Sequence, residues 1–298
     1  KMNKILYEKL ENKIDLIPIE RQHYFYELPN KLFTIGNTKT IKGMKKGVLT
    51  GILHMLPDEQ VKDFLEDETI PTVCPTAKIA GCYKDCLVFS GRGNMSPVFY
   101  SRLRKTLFYL QYKNEFIKLV DKEISRLLRK AKRENLELAI RINGTSDIPV
   151  LKELKEILLK YLNVKFYDYT KNPKSIKKLY SLSNEIKNYH LTFSYTKELL
   201  FQPLIEKAVK YNPNVAIVFK NEEQVNYLIE NKKKLKLFDK VYNIINGDKT
   251  DLRYKDKNNS IVALRYKKPK INGKLQNQPI KKNFVVDLNQ LPNNLTLI

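Results

Sequence analysis

The chain has 298 residues, 42% of them hydrophobic, with 55 Lys and Arg against 32 Asp and Glu and a formal net charge of +23. That apolar content can bury a sizeable core near the upper size limit of one domain, which excludes a disordered chain and predicts a single globular unit over residues 1–298. No apolar run reaches the roughly eighteen residues of a membrane span. The opening KMNKILYEKLENK is charged and amphipathic, without a signal-peptide core, so a soluble, unsecreted protein with no membrane partner is expected.

The charge predicts a positive potential that attracts polyanions, nucleic acid first among them. A Lys- and Asn-rich coding bias, with lysines only solvating the surface, accounts for the same total.

Residues 1–45 read as a mixed N-terminal extension, followed by a strand in KGVLTGILHML, Lys46 to Leu56. Next comes VCPTAKIAGCYKDCLVFSGRG, which holds every cysteine of the chain, Cys74, Cys82 and Cys86, as C-x7-C-x3-C. An odd number of clustered thiols argues against a disulfide framework and for a reducing, intracellular compartment. One long helix is expected from about Pro97 to Glu134, because Phe99, Leu103, Leu107, Leu110, Ile117, Val120, Ile124 and Leu127 recur at threes and fours.

From there strands and helices alternate: LELAIRI, VKFYDYT, HLTFSYT, NVAIVFK, KVYNII and SIVALRY as strands, PVLKELKEILLKYL, SIKKLYSLSNEI, LLFQPLIEKAVKY and EEQVNYLIENKKKL as helices. Lys267 to Asn283 is basic, poor in apolar residues and broken by prolines, a flexible arm before a last strand at FVVDL. Strands joined by helices need right-handed crossovers and a mostly parallel sheet, so the fold class is α/β. About seven such strands suit a complete or partial (β/α) barrel, with a doubly wound sheet as the alternative.

In either architecture ligands gather beyond the C-terminal ends of the strands. The residues there form a polar set: Arg141, Asn143, Gly144, Thr145, Ser146 and Asp147 after one strand, and Asp168, Tyr169, Thr170 and Lys171 after the next. Ser194, Tyr195 and Thr196 follow a third, and Asn246, Asp248, Asp251 and Arg253 a fourth. Turn and capping chemistry explains Asn143-Gly144, Ser146 and Asp147 when each is taken singly. Their shared edge favours a pocket.

Three thiolates select zinc, copper(I) or an iron–sulfur cluster. A closed zinc site wants four ligands in C-x2-4-C pairs, which this spacing does not supply, so zinc needs His23, His54 or His190 as the fourth, with His54 nearest upstream. A [4Fe–4S] cluster on Cys74, Cys82 and Cys86 would leave one iron open for a small ligand. Three buried apolar thiols without a metal are the third reading.

Four blocks, GNTK, CPTAKIAGCYKDCLVFSGR, LAIRINGTSDI with FYDYTKNP, and GDKTDLRYKD with SIVALRYK, resemble the "gene product 88" family of bacteriophages, mobile elements and some large viruses. That family is similar in layout to radical S-adenosylmethionine enzymes, in which a three-cysteine loop follows the first barrel strand and a glycine motif after the second holds the cofactor's amino acid part. The resemblance implies a [4Fe–4S] cluster, a radical-SAM-like barrel and a protein of viral or mobile-element origin in the host cytoplasm. The spacing C-x7-C-x3-C departs from C-x3-C-x2-C, and Asn143-Gly144-Thr145-Ser146-Asp147 stands where Gly-Gly-Glu-Pro is usual.

Two functions follow. In a metalloenzyme, Arg141, Asn143, Gly144, Thr145, Ser146 and Asp147 would hold S-adenosylmethionine, while Asp168, Tyr169, Lys171, Asp248 and Arg253 would meet a polyanionic substrate. In a non-enzymatic nucleic-acid-binding protein the metal would be structural or redox-sensing, with basic residues from Arg126 to Arg133 and from Lys267 to Lys282 on phosphates. Tyr109, Tyr112 and Tyr266 would be available to stack on bases.

Overall fold

Strands with apolar residues at every second position lie side by side in a computed structural model that describes residues 8–36, 38–82, 86, 95–267, 270–271, 274–275 and 283–298. The strands in chain order are β1 (Phe33–Thr34), β2 (Val48–Leu53), β3 (Glu137–Arg141), β4 (Lys165–Thr170), β5 (Tyr189–Ser194) and β6 (Asn214–Phe219). They continue with β7 (Lys234–Leu237), β8 (Lys240–Asn246), β9 (Ser260–Arg265), β10 (Lys270–Ile271), β11 (Lys274–Leu275), β12 (Val285–Val286) and β13 (Leu295–Leu297).

One 11-stranded sheet runs β1-β2-β3-β4-β5-β6-β9-β8-β7-β13, with β12 pairing the end of β6. The seven strands from β2 to β8 in that order are mutually parallel, and β1, β7 and β13 close the margins antiparallel. The expected α/β class and parallel sheet are therefore present. The sheet is open, so a complete barrel does not form.

The helices are α1 (Ile19–Gln22), α2 (Thr38–Met44), α3 (Asp58–Leu65), α4 (Ser96–Gln111), α5 (Lys113–Arg133), α6 (Val150–Glu153), α7 (Lys155–Lys160), α8 (Pro173–Ser181), α9 (Gln202–Val209) and α10 (Glu222–Glu230). The helix expected from Pro97 to Glu134 is two, because Tyr112 leaves helical geometry at φ −124° and ψ 58°. The break lets the Lys113 ammonium sit 3.5 Å from the Tyr109 ring centroid and 2.8 Å from the Glu153 carboxylate. The helix after β3 is likewise split, at Leu154. Lys234 and Leu235, read as the end of a helix, belong instead to β7.

Period two divides the sheet faces. Leu138, Ile140, Phe166, Tyr189, Val215, Ile217 and Ile261 point into the large core shared with α4, α5, α8 and α9. Val48, Ala139, Tyr167 and Leu252 form a smaller cluster on the other face, packed by Tyr254. The N-terminal segment is bound to the sheet rather than appended to it: the buried Glu123 carboxylate of α5 accepts the amide N–H groups of Leu32 and Phe33 at the start of β1. Of the expected basic arm, β10 and β11 pair antiparallel, whereas 268–269, 272–273 and 276–282 lie outside the described residues.

Candidate functional site

The segment after β3 is held against the end of β2. Gly144 N–H donates to Leu53 O at 2.9 Å, and Thr145 Oγ1 donates to Met55 O at 2.5 Å. A Cβ at Gly144 would lie 2.4 Å from Leu53 O and 2.7 Å from His54 Nδ1, so only glycine permits this approach. Asn143 organises the turn itself. Its Oδ1 accepts from Ser146 Oγ and Ile148 N–H, both at 2.9 Å, and its Nδ2 donates to Ile148 O at 3.1 Å.

Two carboxyls sit beneath this turn. Asp168 is fully buried on the helix-packed face, where Oδ1 accepts Asn143 N–H at 2.6 Å and Oδ2 accepts the Tyr189 hydroxyl at 3.1 Å. Burial pushes its pKa up to about 7, against the opposing pull of the Asn143 amide and Arg141. Asp147 accepts Thr170 Oγ1 at 3.1 Å and Lys171 N–H at 3.0 Å, and burial pushes it up to about 6. Asn143, Gly144 and Asp168, expected at a cofactor or substrate, thus spend their polar groups or their space on the scaffold.

The cysteine loop docks on the same edge. Asp147 N–H donates to Val73 O at 2.8 Å, and Thr196 Oγ1, beyond β5, donates to Ala80 O at 2.8 Å. Gly81, at φ +64°, abuts Glu198, whose Oε1 would stand 2.4 Å from a Cβ there. Cys74, Cys82 and Cys86 are half-buried and form no disulfide. Cys74 N–H donates to Thr72 Oγ1 at 2.9 Å, and Cys82 Sγ lies 3.8 Å from Ala77 O. Residues 83–85 and 87–94 lie outside the described residues, among which no group of three His, Cys, Asp or Glu is gathered closely enough to hold a metal ion.

The second face carries a chain of charges. Arg141 is buried, with Nη1 3.2 Å from Asp251 Oδ2 and its guanidinium 4.8 Å from the Tyr169 ring centroid. Burial works against its charge, but Asp251 and the neighbouring tyrosines outweigh it and raise its pKa. Tyr167 reaches Asp251 Oδ2 at 3.5 Å, and the short turn Arg253–Lys255 lies against β4 and β5. Arg253 is buried, bonded to Thr250 O and 3.2 Å from Asp256. Asp248 stands apart, accepting Arg265 N–H at 2.9 Å and pairing with Lys267 at 3.2 Å. Lys171 Nζ reaches back to Ser194 O and Tyr195 O, each at 3.4 Å.

Sequence reasoning missed Tyr167, Tyr189 and Asp256. Tyr189 carried no signal, since its tie to Asp168 depends on strand register. Tyr109, expected to stack on bases, is buried with its hydroxyl on Glu153. Of the basic residues on α5, Arg126 pairs with Glu123 and Lys130 with Glu134. A crevice of about 840 Å³ opens at the opposite, N-terminal edge, lined by Tyr180, Tyr211, His190, Arg253 and Asp256, which takes His190 away from the cysteine loop.

No curated protein and no solved structure matches the chain. No helix among the described residues is long and apolar enough to cross a membrane. A family model described as gene product 88 matches residues 31–286, from β1 through β12 and across the cysteine loop, so the chain belongs to the gene product 88 family.

Proposed function

We propose that this is an iron–sulfur protein of viral or mobile-element origin, in which Cys74, Cys82 and Cys86 hold a [4Fe–4S] cluster and the open sheet serves as a partial, radical-SAM-like barrel acting on or near nucleic acid. One observation carries the reading: all three thiols of the chain, each half-buried and outside any disulfide, stand on a loop tied to the residues that follow β3 and β5. By donor type soft thiolates from one loop suit iron and sulfide, but the described thiols are not gathered at metal-binding distance, so the reading requires metal binding to draw them together. When bound, such a cluster supplies one-electron chemistry and an open iron for the amino and carboxylate groups of a small cofactor such as S-adenosylmethionine.

The chain's own residues would orient and exclude water. Asn143, Gly144, Thr145 and Ser146 hold the turn after β3 at the end of β2, and Asp147 and Thr196 hold the cysteine loop to it. Arg141 and Tyr169 would offer a cationic and an aromatic group to an anionic substrate beside Asp251, with Lys171 at the ends of β4 and β5, whereas Arg253, expected in the same pocket, lines the crevice at the opposite edge.

The deciding experiment is anaerobic purification with iron and sulfide analysis and EPR of the reduced protein. About four irons per chain are expected; zinc without iron would end the reading. Incubation of the reduced protein with S-adenosylmethionine should then release 5′-deoxyadenosine if the site is catalytic. A second reading, a nucleic-acid-binding protein with a structural or redox-sensing iron–sulfur or zinc site, is favoured by the +23 charge. It requires oligonucleotide binding that weakens steeply with salt, without turnover.

A further inference from the structure

The crevice at the N-terminal edge of the sheet belongs neither to the cysteine loop nor to the turn after β3. It opens where the C-terminal ends of α8 and α9 meet the starts of β5, β6 and β8, and its 840 Å³ is room for a drug-sized molecule. Its lining is partly aromatic: Tyr180, at the end of α8 and 62% exposed, has its ring centroid 5.1 Å from that of Tyr211, which follows α9. Arg253 and Asp256, from the turn that packs against β4 and β5, also line it. Their side chains are 1% and 7% exposed and pair at 3.2 Å. That pairing is not aligned as a hydrogen bond. Arg253 Nε and Nη1 and Asp256 Oδ2 are buried without a hydrogen-bond partner among the described residues, while Arg253 Nη2 donates to Thr250 O. Leaving two donors and an acceptor unmade in a buried pair costs stability unless a further group completes them.

Charge narrows what that group can be. Arg253 and Asp256 cancel. Lys240 is engaged at the end of α9, donating to Val209 O at 2.8 Å and to Asn212 Oδ1. Burial, and then Lys165, lower the pKa of His190, which favours its neutral form. An anion therefore finds no net attraction in the crevice, and a purely apolar molecule would leave the buried pair unsatisfied. A neutral planar ring with a face to stack and an edge carrying both a donor and an acceptor meets every condition.

We propose that the crevice is a nucleobase-binding site, in which a base stacks on Tyr180 and turns its edge to Arg253, which donates to a ring acceptor, and to Asp256, which accepts an amino N–H. Stacking on aromatic side chains and base-edge bonds to Arg and Asp are established means of holding bases. The base can arrive as a free nucleoside or as one unstacked base of a single strand, whose phosphates the +23 charge attracts. The site is independent of what the cysteines hold.

The test is equilibrium dialysis of the full chain against adenosine, guanosine and cytidine, whose edges carry an amino group, against purine riboside, which lacks one, and against a short mixed-sequence single strand. Tyr180→Ala, at an exposed position, should fold as wild type and weaken binding about tenfold. Asp256→Asn should weaken it about as much, and purine riboside should bind wild type about tenfold more weakly than the best amino-bearing nucleoside. The riboside makes the same comparison if Asp256→Asn does not fold. Inorganic phosphate should not displace a bound nucleoside. Nucleoside binding weakened by Tyr180→Ala supports the site and marks a free ligand; strand binding alone, weakened by the same change, supports it and marks a base within a strand. No binding of either, binding indifferent to Tyr180→Ala, purine riboside bound as tightly as the best nucleoside, or displacement of a nucleoside by phosphate would each overturn the proposal. Strand binding that Tyr180→Ala leaves unchanged would remove this site while keeping nucleic acid as a partner, and neither result bears on the iron analysis.

Discussion

Gly144→Ala tests whether the turn after β3 is built on contact with β2. The added methyl would meet Leu53 O at 2.4 Å, His54 Nδ1 at 2.7 Å and Ile52 Cγ2 at 2.8 Å. The nearest atom is a backbone oxygen that already accepts the Gly144 N–H at 2.9 Å, so no side chain can simply rotate away. Relief requires about half an ångström or more of backbone movement, and overpacking of this kind costs about 1–3 kcal/mol. Stretching the Leu53 hydrogen bond adds about 1 kcal/mol, for a total of about 2–4 kcal/mol. Urea denaturation should show a lower midpoint at unchanged slope, and thermal melting should drop by about 3–6 °C. Gly36→Ala is the control, because nothing lies within 4 Å of its Cβ position, and it should stay within about 0.5 kcal/mol of wild type. The same movement would shift Asn143 and Asp147 relative to the cysteine loop, so iron content should fall with stability. A Gly144→Ala midpoint as close to wild type as the control's would refute the reasoning.

Asp168 gives a pH signature. Its folded pKa of about 7 exceeds the ordinary carboxyl value, so the unfolded chain ionises more readily. The resulting penalty is absent below about pH 4, grows between about pH 4 and 7, and is complete above that range. Wild type should therefore lose stability relative to Asp168→Asn as pH rises through that window, by up to about 1.4 kcal/mol per unit; parallel curves would exclude it. Asp251→Ala leaves the Arg141 guanidinium buried and without the carboxylate at 3.2 Å, and should cost about 3 kcal/mol, whereas Arg141→Met with Asp251→Leu should cost much less. In a double-mutant cycle, single-variant losses that add up to the loss of the double variant would show the two side chains to be uncoupled. Cys74→Ser, Cys82→Ser and Cys86→Ser should each lose iron and sulfide while keeping the wild-type circular dichroism, and retention of full iron by any one removes that thiol from the ligand set.

The strands at 164–170, 214–220 and 260–266 were readable to within a residue or two, since β-branched and aromatic runs bounded by turns declare themselves locally. The insertion of β9 between β6 and β8 was not readable. Parallel strands buried on both faces are chemically interchangeable, so their order is decided by which crossovers pack. Asp168 read as a pocket residue from its place at a strand end. Its parity with Phe166 assigned it to the helix-packed face, a signal that was present in the alternation and outweighed by position. The break at Tyr112 left no such mark, because the apolar stripe continues through it and the gain lies in Lys113 meeting Tyr109 and Glu153.

By itself the sequence determined the element types, the parallel class of the sheet and the gathering of every thiol on one loop, because periodicity and turn chemistry act over a few neighbouring residues. Tertiary structure alone decided the open sheet, the pairing of Arg141 with Asp251 across 110 positions and the seating of Asp168 under Asn143 and Tyr189. It also left Arg102 Nε and Nη1 buried without a described hydrogen-bond partner. These are long-range arrangements of charge, and their energies depend on which distant groups exclude water together.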